Sequence, residues 1–135
     1  MSTWKQTIRW GMLAASLAVY APRPAAAHHS FAAFDMSTEK TVTGTVKKFD
    51  YTNPHTWTWL DVANDQGGVD TWGIEGMSPN YLARRGWTRN TLKPGDKLTI
   101  TIHQAKDGSH GGMWMKAVRP NGEVLNMMGG AITNP

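Results

Sequence analysis

The chain has 135 residues, no cysteine and a formal charge of +4, a length that fits one domain. The lack of cysteine excludes disulfides, zinc knuckles, thiolate redox chemistry and cysteine-ligated iron–sulfur clusters. Three of the 14 basic residues, Lys5, Arg9 and Arg23, lie in 1–27 with no acidic residue beside them, so 28–135 holds 11 basic against 10 acidic residues and little excess charge to attract a nucleic acid.

Residues 1–27 read as a signal peptide. Lys5 and Arg9 make a basic start, and Gly11 to Ala21 is an apolar run of 11 residues, against about 20 for a membrane span. Pro22 and Pro24 follow, then Ala25-Ala26-Ala27, the small residues a signal peptidase reads. Cleavage after Ala27 would leave a periplasmic protein starting at His28, with no membrane span in its mature form.

Residues 28–128 read as one β domain. Thr41 to Phe49 is a first strand, with Val42, Gly44 and Val46 on one face. Thr56 to Val62 is a second, alternating Trp57 and Trp59 against Thr58, Leu60 and Val62. Asp65 to Gly68 is turn chemistry, and Val69 to Glu75 is a third strand with Trp72 and Ile74 on one face. Ser78 as N-cap, Pro79 at the first helical position and Gly86 after Arg84-Arg85 mark a helix of about two turns, with Tyr81 and Leu82 inward. Pro94-Gly95-Asp96 turns the chain into a fourth strand carrying Leu98, Ile100 and Ile102. Lys106 to Ser109 is a hairpin turn, Met113 to Val118 a fifth strand, and Asn121-Gly122 leads to a short sixth over Glu123 to Met127. The glycine-rich segment 129–135 reads as a flexible tail. This order predicts an all-β fold, a small OB-like β-barrel of five to six strands with one short helix between strands three and four. A small sandwich is the alternative.

The chemistry concentrates on histidine. If His28 becomes the N-terminus, its α-amine and imidazole can chelate one ion, and nitrogen ligands suit Cu(II) among the divalent first-row metals. One more imidazole would complete a T-shaped site like the histidine brace of lytic polysaccharide monooxygenases and periplasmic copper carriers. Cleavage one residue earlier would place His28 second and His29 third, and a third-position histidine also binds Cu(II), with amine and amides. His55 lies in Thr52-Asn53-Pro54-His55-Thr56, where Pro54 and Asn53 make a corner that can hold a ligand. Glu75, with Gly73 two residues before it and Gly76 directly after it, faces opposite Trp72 and Ile74. It could orient a histidine, or be a solvated charge near the N-terminus of the helix.

Other readings are plainer. His103 falls on the outward face with Thr99 and Thr101, and His110 sits in a glycine-rich turn. The methionines lack the spacing of metal-binding repeats and read as core filling. The tryptophans read as core, with Trp57 and Trp59 as an alternative stacking platform for sugars or bases. No nucleophile motif, phosphate loop, dinucleotide fingerprint or carboxylate pair appears, which argues against a hydrolase or kinase.

Several strings recur in order: His28-His29-Ser30-Phe31, Gly44-Thr45-Val46, Asn53-Pro54-His55, Trp72-Gly73-Ile74-Glu75, Pro94-Gly95-Asp96, and Asp107-Gly108-Ser109 followed by Gly111-Gly112. Over most of 28–128 they resemble a family of small exported bacterial proteins, domain of unknown function 6152. The resemblance implies export and fold, and brings no activity. It agrees with His28, His29, His55 and Glu75 as the residues of interest. The leading expectation is a periplasmic binding module holding copper or a similar divalent metal through these four residues. The alternatives are a metal-free accessory module that binds an envelope redox protein and a glycan-binding barrel.

Overall fold

A computed structural model describes residues 31–130 and 132–133. Its elements are β1 (Lys40–Asp50), β2 (Trp57–Ala63), β3 (Val69–Glu75), α1 (Pro79–Ala83), β4 (Lys97–Gln104), β5 (Gly111–Val118) and β6 (Val124–Asn126), preceded by a 3-10 turn over Phe31–Ala33. β1 pairs antiparallel with β2 and with β4, β2 with β3, and β4 with β5. Parallel pairing of β3 with the start of β5 closes these five strands into a barrel, and β6 pairs with the end of β5, from Lys116 to Val118. This is the OB-like order, with α1 between β3 and β4. Among the described residues no helix is long and apolar enough to cross a membrane.

The alternation read from the sequence fills the interior. Val42 and Val46 of β1, Leu60 of β2, Ile74 of β3, and Leu98, Ile100 and Ile102 of β4 are all buried in one core. Each such side chain contributes roughly 1.5–3 kcal/mol on leaving water. Gly44 lies among them because a Cβ there would stand 2.4 Å from the carbonyl oxygen of Asp61, so β1 and β2 approach closely only with glycine. Two bulges then reset the period of two. One, between Val46 and Lys48, lets Phe49 pack on the core while Lys48 stays exposed. The other lies where Thr101 pairs with Lys116 but Ile102 with Trp114, so Trp114 and Ala117 are both buried at a spacing of three.

The helix forms as its caps predict, but runs only over Pro79–Ala83. Ser78 accepts a hydrogen bond from the Tyr81 amide at 3.3 Å, Arg84 is the C-cap, and Leu82 is buried in the core. The following Trp87 meets Trp114 edge-on, with centroids 5.8 Å apart and planes at 80°.

Three expectations change. Trp57 and Trp59 are not core residues: they stand half-buried on the outside of β2, while Trp72, Trp87 and Trp114 fill the interior. His103 does face outward but is 7% exposed. The segment before β1 lies over it: Phe34 bridges Ala105, the Asp35 amide donates to Gln104 O at 2.8 Å, and His103 Nδ1 donates to the carbonyls of Asp35 at 3.1 Å and Thr38 at 2.7 Å. Strand periodicity reveals which face a residue takes, not what packs upon that face. The described part of the expected tail is also held, since Gly129 N donates to the Tyr81 hydroxyl and Thr133 bridges Val124.

The segment over His103 is itself braced by Asp35. Its carboxylate accepts from Ser37 N at 3.0 Å, from the Ser37 hydroxyl at 2.5 Å and from the Thr38 hydroxyl at 2.6 Å. Those hydrogen bonds, from Ser37 first and Thr38 next, lower its pKa to about 2.

Candidate functional site

The β1–β2 loop and the end of β3 are fastened to each other. The Thr56 amide and hydroxyl donate to Met77 O at 3.1 and 3.0 Å, and the Gly76 amide donates back to Thr56 O at 2.8 Å. A Cβ on Gly76 would stand 2.5 Å from Thr56 Oγ1, so the glycine after Glu75 is what permits this approach. Tyr51 anchors the start of the loop through its hydroxyl, which donates to Pro79 O at 2.9 Å. The Asn53–Pro54 peptide is cis.

This stitching brings together two residues that sequence reasoning singled out separately. His55 Nδ1 contacts Glu75 Oε1, with the histidine side chain 31% exposed and the carboxylate 6% exposed. Glu75 is therefore not the solvated surface charge that was one of its two readings. A buried carboxylate against Nδ1 fixes the imidazole plane, selects the tautomer with the proton on Nδ1, and directs Nε2, which then carries the ring's lone pair, away from the carboxylate. That arrangement suits metal ligation or proton transfer at Nε2.

Glu75 belongs to a row that crosses the outside of the barrel. It lies opposite Trp57 on β2 and beside Met113 on β5, and Met113 lies opposite His103 on β4. Glu75, Met113 and His103 are all buried. Among the described residues no group of three or more histidine, cysteine, aspartate or glutamate side chains is arranged to hold a metal ion. The His55–Glu75 pair would need further ligands, and the two expected ones, His28 and His29, lie outside the described residues.

The remaining candidates separate from this pair. His110 stacks on Trp72, with centroids 5.0 Å apart and planes at 17°, and its Nδ1 is 3.8 Å from Asp70. Lys40 lies over the same indole at 4.9 Å. Met127 is buried in the core, in keeping with core filling, Met113 is buried on the outer wall instead, and Met36 and Met128 are exposed.

Beside the pair runs a surface that the strand pattern only half reveals. Trp57 and Trp59 stack with centroids 5.9 Å apart and planes 19° from parallel. Trp59 Nε1 donates to Asp50 at 2.9 Å, and Lys48 holds the other oxygen of Asp50 at 2.7 Å. The Lys48 hydrogen bond, supported by that from Trp59 and opposed by burial, keeps the Asp50 pKa below its ordinary value. Phe34, Trp57, Trp59, Gly73 and His110 line one groove here. The pattern Trp-x-Trp was available in the sequence; its pairing of Trp59 with Gly73 and the arrival of Phe34 were not, because they depend on strand register and on how the leading segment crosses the barrel.

The family model of DUF6152, described as a family of unknown function, matches residues 15–116. No curated protein matches the chain, and no solved structure matches it.

Proposed function

The chain belongs to this family of unknown function, and we propose that it is an exported periplasmic binding module that holds one copper ion. In this reading cleavage after Ala27 frees His28, whose α-amine and imidazole chelate Cu(II), and His55 Nε2 closes a three-nitrogen site. Glu75 orients His55 from behind, and His29 is the substitute ligand if cleavage falls one residue earlier.

The observation that carries this reading is the contact of His55 Nδ1 with the buried Glu75 carboxylate. Metal-binding histidines usually donate their second ring nitrogen to a carboxylate or carbonyl in this way. Phe34, six residues beyond His28, shares a groove with Trp57, the residue opposite Glu75.

Titration calorimetry with Cu(II) tests the reading on protein that begins at His28. One ion should bind per chain. In a His29→Ala background, which removes the third-position histidine that an extension would otherwise create, adding an alanine before His28 should weaken binding most, because it removes the amine from the chelate. His55→Ala should cost about tenfold or more, and Glu75→Gln roughly 10–100-fold, the usual cost of losing such an orienting partner. His110→Ala, on the exposed turn, should change little. Equal affinity of the native, extended and His55→Ala proteins would overturn the site. Absence of any binding would favour the metal-free accessory module.

A further inference from the structure

We infer that the outer face of β2 and β3 is a separate binding site for a neutral oligosaccharide chain, independent of any metal. Two grooves lie on this face, of about 260 and 410 Å³, and they share Trp59 and Thr71. The smaller runs toward Phe34 and His110 at the β4–β5 turn, and the larger toward Lys47 and Lys48 on β1. Joined, they form one track across the barrel, long enough in kind for a chain rather than a single small molecule.

The centre of the track is apolar and held in place. The indoles of Trp57 and Trp59 are within 19° of parallel. Trp59 rests over Gly73, where a Cβ would come within 2.9 Å of its ring, and is pinned by its hydrogen bond to Asp50. A Cβ on Gly111 would likewise stand 3.0 Å from Gly73 O. Glycine at 73 thus leaves space that the indole takes, and the platform loses little freedom on binding a ligand.

The rim is polar but not cationic. Lys48 is paired with Asp50 at 2.7 Å and Lys47 lies 3.8 Å from Asp61. Thr71 donates to Asp61 at 2.7 Å and accepts from Lys47 at 3.3 Å. A phosphate backbone needs unpaired positive charge along its path, and these lysines are already neutralised. A pyranose ring offers an apolar C–H face to an indole and a rim of hydroxyls to short polar groups, which is the complement of this track. By fold analogy alone, the second and third strands with the flanking loops are where OB barrels take oligosaccharides or oligonucleotides; the paired charges select the former.

The test is a titration of the mature protein, in the presence of a metal chelator, followed by the indole N–H resonances. The probes are cellohexaose, chitohexaose and a single-stranded thymidine oligonucleotide. The result expected is saturable shifts of the Trp57 and Trp59 signals with at least one hexasaccharide, insensitive to salt. Trp57→Ala should then weaken binding on the order of tenfold, the loss of one aromatic stacking partner, and Trp57→Phe should restore most of it. Shifts of backbone amides inside the barrel should stay unchanged in both variants. Three results would overturn the inference: no saturable shift with either saccharide, undiminished binding by Trp57→Ala, or binding of the oligonucleotide alone with steep salt dependence. Because chelator is present throughout, failure here leaves the copper reading standing, and failure of copper binding leaves this site standing.

Discussion

The interior of the barrel and the outside of its β2–β3–β5 wall use the same strands in different ways. Inward, the side chains of Leu60, Ile74 and Trp114 are fully buried and apolar. Outward, on alternate residues of those strands, stand two half-buried indoles, a buried glutamate and a buried methionine. The interior needs only to exclude water and fill space. The outside keeps a carboxylate out of water, which is costly unless a partner accepts the charge, and the partner comes from a loop rather than from the sheet. For a titratable side chain, burial on the outer wall therefore marks specific pairing, whereas apolar burial, inside or outside, marks packing.

Substitutions on the two surfaces should behave accordingly. The largest effect is expected inside: Trp114→Ala, at a site with no exposure and an edge-on contact to Trp87, should cost about 3–5 kcal/mol in urea unfolding. On the outer wall, His55→Ala should cost about 1–3 kcal/mol by leaving the Glu75 carboxylate without its imidazole partner. The double variant His55→Ala with Glu75→Leu should recover part of that loss, since an apolar pair strands no charge. A loss in the double variant equal to the sum of the losses in His55→Ala and in Glu75→Leu would show that the two residues are not energetically coupled. Trp57→Ala, half-buried at the surface, should change stability by less than about 1 kcal/mol while abolishing its own contribution to saccharide binding.

The smallest effect is local and concerns acid. The folded-state pKa of Asp35 is lowered to about 2, below its ordinary unfolded value of about 3.9. Its contribution is therefore present above roughly pH 4 and lost as the pH falls through about 2. The His103 ring resonances, whose Nδ1 partners are carbonyls of this segment, should shift over that range. Asp35→Asn should remove the acid-dependent component of that shift. A shift unaltered in Asp35→Asn would show that another group governs the segment.

The sequence was most informative where a physical rule has one outcome. Alternation in Leu98, Ile100 and Ile102, the cap at Ser78 with Pro79, and the turn at Asp107-Gly108 each leave little choice, and strand three falls at Val69–Glu75 as read. It was less informative where two separate segments meet. His55 and Glu75 could each be chosen from local chemistry, but their contact depends on the Thr56–Gly76–Met77 hydrogen bonds between the first loop and the end of β3. Trp57 and Trp59 read as core because indoles are mostly buried, yet the alternation with Leu60 already placed them opposite the core face. His103 shows the remaining gap: its outward position was readable, while its cover by Asp35 and Thr38 comes from a segment with no strand pattern of its own.

Electron paramagnetic resonance of the Cu(II)-loaded protein beginning at His28 would report the ligands themselves. Three coordinated nitrogens are expected, with the signal of one imidazole lost in His55→Ala and the whole pattern altered when an alanine precedes His28. A spectrum of oxygen-dominated, loosely bound copper that is the same in all three proteins would contradict a site built from His28 and His55.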